Sequence, residues 1–428
     1  MSEPVKTLLQ SAFVFSPSCP SSGTPGEGWG EGRPQPDAAV VFQRDRIIAI
    51  GDARQLHKEH PDAHRIDLGN SILLPGLINP HTHLELSNCS HEPACSSFPD
   101  WIVSLPSRIG PDRDFASATQ SGIDQCVRFG ITTVGDISQQ MDITRPILAR
   151  SPLRAVSYGE VLGLSAMKFR FNELLPRAVD RSHATERLHI GLTPHSPYTI
   201  DLPSFKECLE MARKLKLHLA THLAELPYEE EFLTRQSGPM RELYERLGKW
   251  TEPVETFDGS PIRFAHAIGL LDYPTLLAHV NYGNDQELEL LARGNASVVY
   301  CPRTHRYFGH PPHRFREMLA RGVNVAVGTD SCASSPNLNV LDDLRLVHEI
   351  APEIPAEKLF GLITTNAARA LSLEDQAGSL SPGKGADFTI FPTANGQLDQ
   401  LLESRILPRE TWIGGRRINP SENPASPG

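Results

Sequence analysis

Between Ser71 and Ser372 the chain alternates apolar strand-like runs with helical stretches, eight times over. This alternation constrains the fold more than any other feature, because successive parallel strands need crossover connections and helices supply them. The strand-like runs are Ile72–Asn79, Thr132–Asp136, Ala155–Val161, His189–Thr193, His218–Thr221, Thr275–His279, Ala296–Tyr300 and Val323–Val327. Helix-type patterns such as Phe115–Phe129, Leu202–Lys214, Asp285–Arg293 and Leu338–Ile350 lie between them. Eight such units predict a (β/α)8 TIM-type barrel. A doubly wound sheet is the alternative, but no G-x-G-x-x-G follows a strand.

The flanks have a different texture. Leu8–Phe15, Ala38–Val41 and Ile47–Gly51 are short β-type pieces, as are Asp387–Phe391 and Thr411–Asn419, the last with Gly414-Gly415 in a turn. They predict a small β-sandwich domain built from both termini. The expected division is 1–70 and 373–428 for the two parts of the small domain, with 71–372 as the catalytic barrel. Residues 16–36, rich in Ser, Gly and Pro, read as a flexible insertion.

Polar residues cluster just after the strands, the catalytic end of such a barrel. His81 and His83 follow the first strand; at i and i+2 of extended chain they face the same side. His195 follows the fourth strand. His222 and Glu225 follow the fifth, three apart, and share a site only if the chain turns at Leu223-Ala224. His279 ends the sixth strand, and Asp330 follows the eighth. Singly, each has a plain structural reading: a core or surface histidine, a helix-capping glutamate, an N-cap aspartate. Together, His81, His83, His222 and Asp330 offer three nitrogens and one oxygen, a set suited to Zn²⁺ or Fe²⁺ with one open position. No lysine stands at the end of the fourth strand to bridge a second ion, so a single divalent ion is expected, Zn²⁺ favoured over Fe²⁺.

Composition narrows the partners. The net charge is −10, without a Lys/Arg cluster, which disfavours nucleic acid and anionic membrane. No apolar run approaches a membrane span, and Thr7–Phe15 reads as a strand rather than a signal peptide. The 7 cysteines are odd in number and contain no C-x-x-C, so neither a disulfide framework nor a cysteine zinc site is expected. The expectation is a cytoplasmic protein with a small-molecule substrate, compatible with a homo-oligomer.

The motifs LLPGLINPHTHLELS (73–87), PHSPYT (194–199), THLAE (221–225), LLAHV (276–280), VVYCPRT (298–304), VGTDS (327–331) and GSLSPGKGADFTIF (378–391) occur in one order along the chain. In this the chain resembles the metal-dependent amidohydrolase superfamily. It is most similar to the aminohydrolase branch, which holds adenosine-type, S-adenosylhomocysteine, guanine and aminodeoxyfutalosine deaminases with the triazine hydrolases. The resemblance implies that His81, His83, His222 and Asp330 are metal ligands. It implies Glu225 as proton shuttle, His279 as the group orienting the attacking oxygen, Asp330 also as general base and His195 as a substrate contact. HTHLELS followed by FPDWI, and HLAE followed by EEEFLTRQSGP, match the aminodeoxyfutalosine-type deaminases best.

The implied reaction removes an amino group as ammonia from an aminated heterocycle, purine or nucleoside-like. The alternatives are another hydrolase on this scaffold, cleaving an amide, an imine or a ring C–Cl bond, and a non-catalytic metal-binding scaffold. One segment departs from the branch. Where C-P-x-S-N is usual, this chain reads CPRTHRYFGHPPH. That places Thr304 and His305 at a substrate-framing position, with His310 and His313 beyond. His305 is therefore either a substrate contact or a loop histidine. Tyr228–Leu247 forms a long connection that either covers substrate or runs as a surface excursion.

Overall fold

The computed structural model describes residues 5–17, 32–93, 97–110 and 112–419. Most of the expected insertion, 18–31, lies outside the described residues. Its last two residues are structured, because Gln35 and Pro36 open a strand.

The N-terminal part supplies β1 (Lys6–Val14), β2 (Gln35–Gln43), β3 (Arg46–Asp52), β4 (His64–Asp67) and β5 (Ser71–Pro75). The middle supplies β6 (Leu77–Thr82), β7 (Ile131–Ser138), β8 (Arg154–Val161) and β9 (Leu188–Pro194). It continues with β10 (His218–Leu223), β11 (Thr275–His279), β12 (Ser297–Tyr300) and β13 (Asn324–Val327). The C-terminal part adds β14 (Phe388–Pro392), β15 (Glu410–Ile413) and β16 (Arg416–Ile418).

Strands β6 to β13 form one parallel sheet in sequence order, the wall of a TIM-type barrel. It closes where β13 meets β6. Thr82 pairs in parallel with Asp330, the Asp330 amide donates to the His81 carbonyl at 3.1 Å, and the Asn79 side chain brackets Thr329 at 2.8 and 3.1 Å. The other sheet runs β16-β15-β14-β5-β1-β2-β3, with β4 beside β1. Antiparallel pairing of β14 with β5 joins the two ends of the chain. Leu9, Val40, Phe42, Leu73, Phe388 and Trp412 fill its core.

The apolar run Ile72–Asn79 is two strands rather than one. Gly76 divides it, and a Cβ there would lie 2.1 Å from the Thr132 hydroxyl. Only glycine allows this close approach, so the chain leaves one sheet and enters the other within a single residue. Side-chain caps open several barrel helices: Asp114 caps Phe115–Arg128, Asp201 caps Leu202–Leu215, and Asn284 forms a capping box with Glu287. These caps fix where each loop ends, and hence where the strand-end residues stand. Among the described residues no helix is long and apolar enough to cross a membrane.

Candidate active site

The C-terminal ends of the barrel strands bring together residues far apart in sequence. His81, the penultimate residue of β6, is fully buried, and neither ring nitrogen has a hydrogen-bond partner. Such an orphan is costly in a packed interior unless a ligand completes it. His222 on β10 is oriented from behind: its Nδ1 lies 3.1 Å from the His195 carbonyl, which leaves Nε2 facing the site. A ligand atom from each of His81, His83 and His222 lies within 4.8 Å of the other two. The Asp330 carboxylate lies 3.4 Å from His83 Nε2 and 3.7 Å from His81 Nε2. Burial pushes the His81 and His222 imidazoles well below their usual pKa, which keeps both in the neutral, ligating form. Burial alone would raise the pKa of Asp330, but His279, His81 and His83 outweigh it and hold the carboxyl below its ordinary range. Three imidazoles and a carboxylate around the unpaired nitrogens of His81 fit a divalent transition metal.

Glu225 joins this cluster because the chain turns at Ala224, whose φ is +50°. Glu229 holds the turn: its carboxylate accepts the backbone N–H groups of Ala224, Glu225 and Leu226 at 3.0, 2.7 and 2.9 Å. The Glu225 carboxylate accepts the Tyr198 hydroxyl at Oε2, 2.9 Å away. Its Oε1 stands 3.6 Å from His279 Nε2. His279 and Asp330 adopt left-handed backbone, with φ of +73° and +59°. Non-glycine residues seldom take this conformation, and it gathers at functional sites.

His83, Tyr198, His222, Glu225, His279 and Asp330 line a cleft of about 250 Å³. One side is apolar, with Phe98, Trp101, Ile102, Leu105 and Ile109 from the helix Phe98–Ile109. That helix is pinned over the barrel by Arg108, which donates to Tyr307 Oη at 3.0 Å and the Ala333 carbonyl at 3.3 Å. The other side is polar, with Glu85, Gln139, Gln140, Glu160 and His195. Glu85 is satisfied by the Ser138 hydroxyl and the Gln139 and Gln140 backbone N–H groups. Glu160 is not: Oε2 accepts from the Gln139 side chain at 2.6 Å, while the buried Oε1 has no hydrogen-bond partner and lies 3.7 Å from His195 Nε2. Glu160, His195 and His222 make a further group of donor atoms within 4.8 Å.

His195, His279, Glu225 and Asp330 thus share one cleft, but His305 does not line it. On a helix beginning at Pro302, the buried His305 ring instead meets Tyr300, His310 and His313. Nor does the 228–247 connection line the cleft. It folds into the helices Glu229–Arg235 and Pro239–Arg246, and the Tyr244 hydroxyl donates to the Tyr198 carbonyl at 3.0 Å. It buttresses Tyr198, while the covering role falls to Phe98–Ile109. Glu160 and Trp101 are the members to which sequence reasoning assigns no role. Glu160 carries a faint signal as a carboxylate at the end of the third barrel strand; Trp101 carries none, because its place depends on a helix folding across the barrel mouth.

A model of the amidohydrolase family matches residues 72–416. Among curated relatives, a 5-methylthioadenosine/S-adenosylhomocysteine deaminase of Moorella thermoacetica is 29% identical over 366 residues, 82% of this chain and 80% of that one. An aminodeoxyfutalosine deaminase of Deinococcus radiodurans is 30% identical over 339 residues, 76% of this chain and 78% of that one. Among solved structures, a Helicobacter pylori aminofutalosine deaminase in complex with methylthio-coformycin superposes with a TM-score of 0.81 at 25% identity, covering 96% of this chain and 100% of that one.

Proposed function

The chain belongs to the amidohydrolase family, and we propose that it hydrolyses the exocyclic amino group of a 6-aminopurine nucleoside, releasing ammonia and leaving a ring carbonyl. The observation that carries this reading is the placing of Glu225, His279 and Asp330 around one end of the cleft, beside the three-histidine cluster. Named relatives deaminate 5'-modified adenosines or aminodeoxyfutalosine, and we extend that substrate class to this chain.

His81, His83, His222 and Asp330 would hold one divalent ion, Zn²⁺ favoured for its affinity for nitrogen ligands. When bound, such an ion acidifies water, so that hydroxide is available near neutral pH. The protein handles the protons. Asp330, beside His81 and His83, accepts a proton at its carboxylate. His279 directs the attacking oxygen through Nε2. Glu225, with Oε2 tied to Tyr198, presents Oε1 to the ring nitrogen next to the amino-bearing carbon. It protonates that nitrogen, takes up the proton of the added hydroxyl as the carbonyl forms and passes it to the departing amine; the proton accepted by Asp330 then returns to Glu225 for the next turnover. His195 and Glu160 meet polar groups of the substrate, and the Trp101 side covers its apolar face.

The five described cysteines are free and buried, which supports a reducing, cytoplasmic setting. The test is a screen of amino-purines, their nucleosides and pterins for ammonia release, with product identification. Ammonia and a 6-oxopurine nucleoside are expected. Chloride, a free acid or an amine fragment from other substrates, with no ammonia from any nucleoside, would assign the chain to a different reaction on this scaffold.

A further inference from the structure

The segment that departs from the family pattern carries three histidines, and one of them grips the candidate active site from behind. His279 sits at the centre of a tight turn: the Val280 amide donates to the Ala278 carbonyl at 3.2 Å, and the φ of His279 is +73°. This is the γ-turn with positive φ, the rarer and more strained of the two forms. Val280 follows at φ +51°, so two successive non-glycine residues are left-handed. The backbone does not hold this shape by preference; something must hold it.

The same turn clasps Glu225. The Val280 amide reaches the Leu223 carbonyl at 3.0 Å, the Tyr282 amide reaches the Ala224 carbonyl at 3.2 Å, and the Asn281 side chain donates to the Glu225 carbonyl at 3.0 Å. Displacement of 279–282 would therefore move both His279 and Glu225.

His313 lies on the far side of this turn. Its Nε2 is 2.9 Å from the His279 carbonyl oxygen. Its ring is stacked on Tyr300, with centroids 4.1 Å apart and planes at 17°, and Phe315 flanks both rings. The ring is thus fixed in plane and depth before it makes its polar contact. Its Nδ1 is buried with no hydrogen-bond partner, and burial pushes its pKa down to about 3. The neutral ring carries one N–H, which belongs on Nε2, where it has an acceptor. A second grip lies beside it: Tyr282 Oη is 3.0 Å from His310 Nδ1.

We infer that His313 is a positioning residue, whose Nε2–H holds the His279 carbonyl and with it the left-handed turn that aims the His279 imidazole at Glu225 and the cleft. The kinetic consequence rests on the deaminase reading above; the structural consequence does not. This role also accounts for histidine at this position. A donor at the far end of a flat, buried ring reaches the carbonyl, whereas an aliphatic side chain of the same length offers no donor.

The test compares His313→Met with His313→Gln in the metal-loaded full-length protein. Glutamine keeps an N–H donor at about the reach of Nε2; methionine keeps volume without a donor. On a nucleoside that the wild type deaminates, His313→Met should lower kcat by about tenfold or more with KM within about threefold, and His313→Gln should stay within about threefold of wild type in both. Both variants should bind metal as the wild type does. Crystals of His313→Met should show residue 279 leaving its positive φ and the His279 ring turned away from Glu225, whereas His313→Gln should keep both features as in the wild type. A folded, metal-loaded His313→Met with wild-type kcat and an unchanged turn overturns the inference. If His313→Met does not fold, His313→Gln decides: full metal with kcat below about one-tenth of wild type overturns the inference, and kcat within about threefold sustains it. A wild type that deaminates nothing defeats the functional reading instead, and the crystallographic comparison still judges the turn.

Discussion

The Tyr198 hydroxyl and the Glu225 carboxylate are joined by a buried hydrogen bond of 2.9 Å. The bond occupies Oε2 and so determines which oxygen of Glu225 faces His279. Tyr198 is in turn backed by Tyr244 from the 228–247 excursion, through a bond to its carbonyl. A segment that contributes no lining residue thereby orients the candidate proton carrier.

Tyr198→Phe should therefore lower kcat while the protein stays folded and loaded with metal. Hydrogen bonds to charged groups are worth about 1.5–3 kcal/mol, which corresponds to about a 10- to 100-fold loss if the whole interaction acts in the transition state. Glu225→Gln removes the transferable proton itself and should cost about 10²–10⁴. Steady-state ammonia release with parallel metal analysis checks both. Near wild-type turnover of metal-replete Glu225→Gln would take Glu225 out of the mechanism.

Metal content is the second test. Chelation should abolish turnover, and added Zn²⁺ should restore it. Elemental analysis should give about one ion per chain if His81, His83, His222 and Asp330 hold a single ion as proposed, His81 and His83 lying 3.7 and 3.4 Å from Asp330. His81→Ala should lose the ion, because His81 has no other partner to satisfy. A reproducible second ion would overturn the single-metal reading and direct attention to Glu160 and His195, which share a donor cluster with His222.

What the sequence makes legible follows from local rules. The barrel is readable because the strand-like runs recur with helical stretches between them, and the closing strands fall close to the expected positions. The gathering of His81, His83, His222 and Asp330 is readable because strand ends in such a barrel meet at one face. Even the bend at Ala224 is legible, since residues three apart on a straight strand point apart. Long-range placement is another matter. Nothing in the apolar run 72–79 says that Gly76 moves the chain from one sheet to the other. Whether His305 lines the cleft is not legible either, because it stands on the helix begun at Pro302 and no local pattern reveals which way that helix turns it. Thr304 makes a quieter connection: its hydroxyl meets Ser334 at 2.8 Å, and Ser334 donates to the Asp330 carboxylate at 3.3 Å.

Glu160 offers a test of recognition rather than chemistry. Its Oε1 is buried on the cleft wall with no hydrogen bond, only His195 Nε2 at 3.7 Å, a poor situation for a carboxylate unless a donor arrives with substrate. Glu160→Gln keeps the shape and replaces an acceptor with an ambivalent amide. KM for a hydroxyl-bearing nucleoside should rise by about tenfold, with a smaller change in kcat. The free base, lacking the sugar hydroxyls, should show little change. Equal effects on nucleoside and base would remove Glu160 from sugar recognition.

The last test concerns the joint between the two sheets. Arg154 opens β8 at the base of the barrel, and Asp387 precedes β14 in the other sheet; both are buried, with Nε and Oδ2 2.6 Å apart. Asp387 also accepts the Gly414 amide at 2.7 Å, so one carboxylate ties the barrel to the β15–β16 turn. Removing one partner of such a pair leaves the other charged and buried, which costs about 3–5 kcal/mol. Arg154→Met should lower stability by about that amount, measured by urea unfolding at neutral pH with cleft metal content checked. Asp387→Asn should cost a comparable amount, because it leaves the guanidinium without its counter-charge. In the double variant neither charge remains, and asparagine still offers an oxygen to Gly414. Its loss should therefore be clearly smaller than the sum of the two single losses, a coupling that the double-mutant cycle reads directly. Strict additivity would mean that the two side chains stabilise the joint independently, despite their contact.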